Sequence, residues 1–396
     1  MKKIIRIPID NQYNKKNMVR KIFRGMDSIS RHILENNNAG LRFYEHVILP
    51  FEIKLLRWHG YSIGNRVLPY LESSVKKYLP LYLSPEEKND AQRCKKVEND
   101  MIKSRLVNGI HPLEYILYDF EKLDYHTRQE YINDNERWVI LHKIFGEDLK
   151  KDHRDKWRFY QLTRPYFKRE ACKVGKDTPA SDFMDFASKY STFFVKPLEG
   201  NYGQGTYLLK CTSTEQAQNI YDKLVSHDSW IVEEVIHQTE EMASWNPTSV
   251  NTVRMPSFIT ASGEYHLITP FLRAGRTGAI VDNAGSGGIV VGIDESTGRL
   301  LDFCVDEEGH RYAAHPDSGI KFSGWQVPDW EDLCRLTEEV HRSMPSGHVY
   351  VAFDFAHTAQ GWVLVEGNWG QLVFNQACFR RGLKKPFFEY IGYSEK

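Results

Sequence analysis

The sequence predicts a mixed fold of helices and sheets, α+β or α/β, over about residues 150–396, preceded by a mainly helical region. Three observations predict it. In the first part, apolar residues recur at three- and four-residue spacing. In the second, short β-branched and aromatic runs sit between glycine turns, and helical patterns interrupt those runs. At 396 residues the chain exceeds one typical hydrophobic core, so two or three lobes are expected.

The helical patterns of the first part are residues 40–58, 68–83 and 111–123. Between them, the charged interval 84–105 reads as an exposed helix or connector, with Ser84 as N-cap and Glu87 at the capping-box position. Residues 153–171 are again helical. Strand-like runs follow at 191–198, 227–236, 250–260, 264–273 and 287–294. Helical patterns at 212–226 and 329–344, each opened by a Thr or Asp cap, are expected to lie across these strands. Near the C-terminus, residues 348–355 and 362–368 are apolar, aromatic and β-branched. The polar stretch His357 to Gly361 separates them, so they read as a hairpin.

Bulk composition narrows the function classes. Lys+Arg and Asp+Glu are both 52, so the formal net charge is zero and a global nucleic-acid footprint is absent. The six cysteines are scattered without CxxC spacing, which gives no support to a zinc site or a disulfide framework and fits a reducing cytoplasm. No apolar run approaches the ~18 residues of a membrane span, and the start does not read as a signal peptide. Residues 2–24 carry eight Lys or Arg against Asp10 alone. That arm reads either as a peripheral membrane or partner contact or as a solvated terminus.

Chemistry concentrates at two places. In the C-terminal hairpin, Glu366 and Asn368 are two apart and leave one face of a strand. A turn centred on Gln360 would set Asp354 directly opposite Glu366. Two carboxylates and an amide oxygen on one sheet face form a hard ligand set suited to Mg²⁺, or Mn²⁺, shared with phosphates. An acid pair can also merely solvate an edge hairpin. Dense apolar strand sequence around these acids makes unpaired carboxylates costly and favours the metal.

The second place is FFVKPLEGNYGQGTYLL at 193–209, where a strand ends at Lys196 and Gly200, Gly203 and Gly205 punctuate a loop before a further strand. Glycines let backbone N–H groups converge on phosphate oxygens, and Lys196 can reach the same oxygens as a point charge. No GK[ST] closes the loop, and a strand follows it in place of a helix. It is therefore neither a P-loop nor a dinucleotide fingerprint, and reads as a hairpin lid over a triphosphate. Downstream, the strand leading to Val235 and Ile236 could line an adenine, and Glu240 or Glu241 could hold ribose hydroxyls. An ordinary core strand with a solvated end is the alternative.

In this order, the residues resemble the ATP-grasp superfamily: Asp155-Lys156, then Lys196-Pro197 and the glycine loop, then Val232-Glu233-Glu234-Val235-Ile236, then Asp354 and Glu366-Gly367-Asn368. More narrowly, SVNTVRM, LRAGRTGAIVDNAGSGG, IDESTGRL, HPDSG and FRRGLKKP look like the ATP-grasp group associated with sugar transfer and cell-surface polysaccharide genes. The resemblance implies an α+β ATP-grasp fold over 151–396, with a lid-bearing first lobe at 151–230 and a hinge and metal-binding lobe at 231–396. Residues 1–150 form the helical N-terminal region, where members of the superfamily commonly carry a βαβ-type domain.

The resemblance further implies that Lys156 and Lys196 contact the nucleotide phosphates and that residues 200–206 form the lid. Glu233, Glu234, Val235 and Ile236 would line the adenine hinge. Asp354, Glu366 and Asn368 would ligate Mg²⁺, and Arg254 or Arg273 would steady the transferring phosphoryl group. The implied activity is a carboxylate–amine ligase acting through an acylphosphate, on small-molecule or glycan-linked acids and amines. Phosphotransfer to a hydroxyl and a non-catalytic nucleotide-binding scaffold are the competing readings. The loop 275–288, with Arg276, Asp282 and Asn283, is either an acceptor-binding segment or a plain surface loop. His315 reads as structural.

Overall fold

The computed structural model describes residue 51 and residues 67–392, apart from 135, 138–139, 142–146, 201–204, 228 and 369–371. The basic arm at 2–24 and, Phe51 aside, the helix expected at 40–58 lie outside the described residues. The chain divides into two compact units, 1–136 with 395–396, and 137–394.

In the first unit, α1 (Val67–Tyr82), α2 (Ala91–Asn108), α3 (Pro112–Leu117) and α4 (Tyr125–Gln129) follow one another. Ser84 and Glu87 do form a reciprocal capping box, at 2.9 and 3.2 Å. It opens only a short 3₁₀ turn, Glu87–Asn89. The long helix starts later, where Asp90 Oδ1 accepts the backbone N–H groups of Gln92 and Arg93. Nor is α2 a plain exposed connector: Val97, Met101 and Ile102 recur at helical spacing and are fully buried.

The second unit begins with α5 (Glu147–Arg154) and α6 (Lys156–Phe167), then β1 (Ala171–Val174), α7 (Ala180–Lys189), β2 (Thr192–Pro197), β3 (Tyr207–Lys210), α8 (Thr214–His227) and β4 (Trp230–Glu234). These strands form a sheet in the order β1-β4-β2-β3. α7 and α8 help bury its apolar face, with Phe183, Phe193, Val195, Leu224 and Val232 in the core. The expectations from the sequence omitted β1; its segment is four residues long and lies directly after a charged run.

Beyond the short α9 (Glu240–Ala243), β5 (Thr252–Ile259), β6 (Tyr265–Leu267), β7 (Phe271–Ala274), β8 (Ile289–Ile293), β9 (Leu300–Val305), β10 (Arg311–Tyr312), β11 (Tyr350–Thr358) and β12 (Gly361–Asn368) build a larger sheet. Its order is β10-β9-β8-β7-β5-β11-β12, with β6 also on β5. α10 (Trp330–Ser343) packs on it, and α11 (Val373–Phe379) and α12 (Lys384–Tyr390) close the unit. Every strand pair among the described residues is antiparallel, which decides for α+β over α/β.

Three local expectations need correction. The run 264–273 is two strands, because Thr269 adopts a left-handed φ of 44° before Pro270 and breaks it. α8 is capped by Ser213 Oγ, which accepts the Gln216 N–H, and not by a threonine. Asp329, ahead of α10, makes no side-chain cap; its carboxylate accepts from His357 Nε2 at 3.0 Å.

The C-terminal hairpin has the expected pairing for a different reason. Its turn is the two residues Ala359 and Gln360, since Thr358 pairs with Gly361. That turn alone would put Asp354 across from Val365. A bulge between the Asp354 and Phe355 pairs inserts Val365 as one extra residue and moves Glu366 opposite Asp354. One residue of register decides which face a side chain takes, so the bulge puts both acids on one face.

Candidate active site

α6 starts at Lys156 because Asp155 caps it, its Oδ1 accepting the backbone N–H groups of Trp157 and Arg158. Phe159, one turn on, is buried against β12. A Cβ built on Gly367 would lie 2.3 Å from the Phe159 ring, so Gly367 between Glu366 and Asn368 is dictated by this close approach. The same helix start aims Lys156 at the glycine loop, where Nζ donates to the carbonyls of Pro197 (3.1 Å) and Gly200 (3.0 Å). Gly200 and Gly205 have φ of 139° and 70°, while Gly203 and most of the expected lid lie outside the described residues. Burial pulls the Lys156 ammonium below its usual range; Glu366 and Glu233 act against that pull, and Lys196 adds to it. Lys156 therefore senses charges of both the smaller sheet and the C-terminal hairpin.

Lys196 and Glu233 project from neighbouring strands of the smaller sheet. The lysine Nζ lies 3.1 Å from Glu233 Oε2 and 3.2 Å from Oε1. Arg169, between α6 and β1, donates to the same carboxylate, Nη2 at 2.7 Å. Its Nη1 also donates to the carbonyl of Leu364 in β12. Burial by itself would raise the Glu233 carboxyl, but Lys196 and Arg169 outweigh it and hold it down to about 2. Of the other expected hinge residues, Glu234 pairs through its backbone and carboxylate with Glu170. Val235 and Ile236 are half-buried, and Glu240 is exposed in the first turn of α9.

On the larger sheet, Asp354 is buried and heavily paired. Arg254, directly across on β5, donates Nε and Nη2 to its two oxygens at 2.6 Å each, and Arg273 donates Nη1 at 2.6 Å. Burial alone would raise the Asp354 carboxyl; the two guanidiniums hold it below the usual carboxylate range. Arg273 continues to Asp282 at 2.9 Å. Both arginines proposed from the sequence are thus carboxylate-bound and largely buried.

Asn368 Nδ2 lies 3.3 Å from Asp354 Oδ2 and 3.2 Å from Glu366 Oε1, so these three side chains converge on one point. The carboxylate oxygens suit a hard divalent cation; Asn368 turns its amide N–H toward both acids here, and its Oδ1 would join the set with the amide turned over. Glu366 is the accessible member, with its side chain 35% exposed against 1% for Asp354.

The polar residues of the loop 275–288 are engaged within the chain. Arg276 donates to Asp317, Asp282 accepts from Thr252, and Asn283 accepts from Arg273. His315 is buried: its Nε2 donates to the Gly275 carbonyl and its Nδ1 accepts from the turn behind it, which ties HPDSG to the start of this loop.

A model of the sugar-transfer associated ATP-grasp family matches residues 167–387, more than half of the chain. The chain belongs to that family.

Among the curated proteins compared with the chain, none matches. Three of the solved structures that resemble it illustrate the likeness. The ADP complex of an N5-carboxyaminoimidazole ribonucleotide synthetase is 10% identical, with a TM-score of 0.37, over 61% of this chain and 52% of that one. The Staphylococcus aureus N5-carboxyaminoimidazole synthetase complexed with ADP is 8% identical, with a TM-score of 0.41, over 67% and 59%. The D-alanine–D-alanine ligase of Bacillus anthracis is 11% identical, with a TM-score of 0.33, over 60% and 63%. The chain thus spans between half and two thirds of the length of these proteins. Among the described residues, no helix is long and apolar enough to cross a membrane.

Proposed function

We propose that this ATP-grasp protein is a Mg-ATP-dependent carboxylate–amine ligase. The observation that carries the reading is the convergence, within one unit, of the Lys196–Glu233 pair, the Lys156 ammonium and the Asp354, Glu366 and Asn368 set. Lys156 and Lys196 would bind the phosphates, and the segment Glu233–Ile236, with Glu240, would hold the adenosine. Asp354, Glu366 and Asn368 would hold Mg²⁺, which neutralises phosphate charge when bound.

In the proposed reaction a substrate carboxylate oxygen attacks the γ-phosphorus in line, the bond to the ADP oxygen breaks, and an acylphosphate forms. An amine then attacks the acyl carbon, phosphate leaves with the bonding pair, and the amine loses a proton to give the amide. The chain's own part is positioning and charge stabilisation. Arg254 lies 4.0 Å from the open Glu366, and on that ground it is the arginine assigned to the transferring phosphoryl group in this reading. The family's sugar-transfer association favours an acid or amine carried on a sugar or its precursor, in polysaccharide assembly.

Incubation with Mg-ATP, hydroxylamine and a panel of sugar acids and amino acids, read by mass spectrometry for ADP and hydroxamate, tests this. Hydroxamate formation is expected. A phosphorylated substrate without hydroxamate would replace the ligase by a kinase.

A further inference from the structure

Arg169 touches both halves of the site. Its side chain is 5% exposed, and that of Glu233 4%. Its Nε and Nη2 crowd onto Glu233 Oε2, at 3.3 and 2.7 Å, while Lys196 spans both oxygens. On the other side, Nη1 and Nη2 reach the successive carbonyls of Leu364 (2.5 Å) and Val365 (3.4 Å). Those two residues are where the β11–β12 register shifts. A bulge leaves its extra residue outside the ladder; Arg169 binds the carbonyl just before it closely and reaches that of Val365 itself at the longer distance.

The consequences for the two halves differ. Without Arg169, Lys196 would be the one cation hydrogen-bonded to the buried Glu233 carboxylate among the described residues, and Glu233 would hold that ammonium with undivided charge. The bulge that brings Glu366 across from Asp354 would also lose its outside donor. We propose that Arg169 is a positioning residue that sets how firmly Glu233 retains Lys196 and fixes the register of the Glu366 side chain. This rests on the reading that Lys196 and Glu366 serve the nucleotide and its metal.

Calorimetric titration of the full chain with a non-hydrolysable ATP analogue, in EDTA and in Mg²⁺, separates the two claims. Binding to the unmodified protein tests the underlying reading by itself, because its absence at millimolar analogue would overturn the nucleotide site whatever Arg169 does. Given binding, Arg169→Met should weaken the analogue about tenfold or more in EDTA, the scale of one charge-assisted contact. The double variant Arg169→Met/Glu233→Gln should recover most of that loss, since Lys196 is no longer over-held, while the gain in affinity on adding Mg²⁺ stays reduced. A purely structural role predicts a double variant as weak as the single or weaker. That result, or an unchanged single variant, would overturn the proposal. If Arg169→Met does not fold, Arg169→Lys keeps a cation beside Glu233 without the fork for two carbonyls. It should bind normally in EDTA and lose part of the Mg²⁺ gain; equal losses in both conditions would overturn the proposal.

Discussion

Glu114 in the helical unit and Glu233 in the sheet unit are both 3% exposed, yet they hold their charge differently. Glu114 accepts backbone N–H groups from His111 (2.6 Å) and Asp134 (2.9 Å), and burial pushes its carboxyl up to about 7. Glu233 is equally enclosed but faces Arg169 and Lys196, and is held down to about 2. Burial therefore does not decide the state of a carboxyl; the charge of its partners does. In the helical unit the buried acid serves a helix end. In the sheet unit, buried acids hold cations in place.

The largest effects should come from breaking the charge-holding network. Lys196→Ala or Glu366→Gln should lower ATP turnover by at least about 100-fold, the scale of losing one preorganised charge contact, with circular dichroism unchanged. Normal turnover in either variant would remove that residue from the proposed site. Next, Asp354→Asn leaves Arg254 and Arg273 facing a neutral partner and should cost about 3–5 kcal/mol of stability in denaturant titration. A loss below about 1 kcal/mol would show that the guanidiniums find other partners.

The two glutamates give the third prediction, in opposite directions. Glu114 is raised from an ordinary 4.5, so its contribution is full below about pH 4.5 and is lost as pH rises through about 7. Glu233 is lowered from 4.5, so its contribution is full above about pH 4.5 and is lost as pH falls toward 2. Each should amount to about 3 kcal/mol at most. Residue-resolved hydrogen exchange should show α3 loosening between pH 5 and pH 8, and Glu114→Gln should abolish that dependence. Protection in β2 and β4 should instead fall on acidification. The smallest effect is expected at the exposed cap of α2, where Asp90→Ala should cost about 1 kcal/mol. A larger loss there would mean that helix ends matter more to the helical unit than its buried acid.

Much of this was legible in the chain. Apolar, aromatic and β-branched runs on either side of a polar turn predicted the hairpin of Asp354, Glu366 and Asn368, and Lys196 was expected at the end of a strand before a glycine loop. Arg169 was not legible, because Lys168-Arg169-Glu170 reads like any solvated charged run. The bulge at Val365 was equally hidden, since its sequence is uninterrupted strand; the expected register was reached by centring the turn on Gln360, whereas the real turn is centred between Ala359 and Gln360.

The sequence alone determined the order and type of the elements that carry chemistry, because β-branched and aromatic runs, helical spacing and turn residues act over a few residues. Only the tertiary structure decided who faces whom. Arg169 meets Glu233 across 64 positions and Arg254 meets Asp354 across 100, and such pairings follow from strand order and register. Whether a buried carboxylate stays charged depends on those distant partners, so the electrostatics of this site belong to the folded chain.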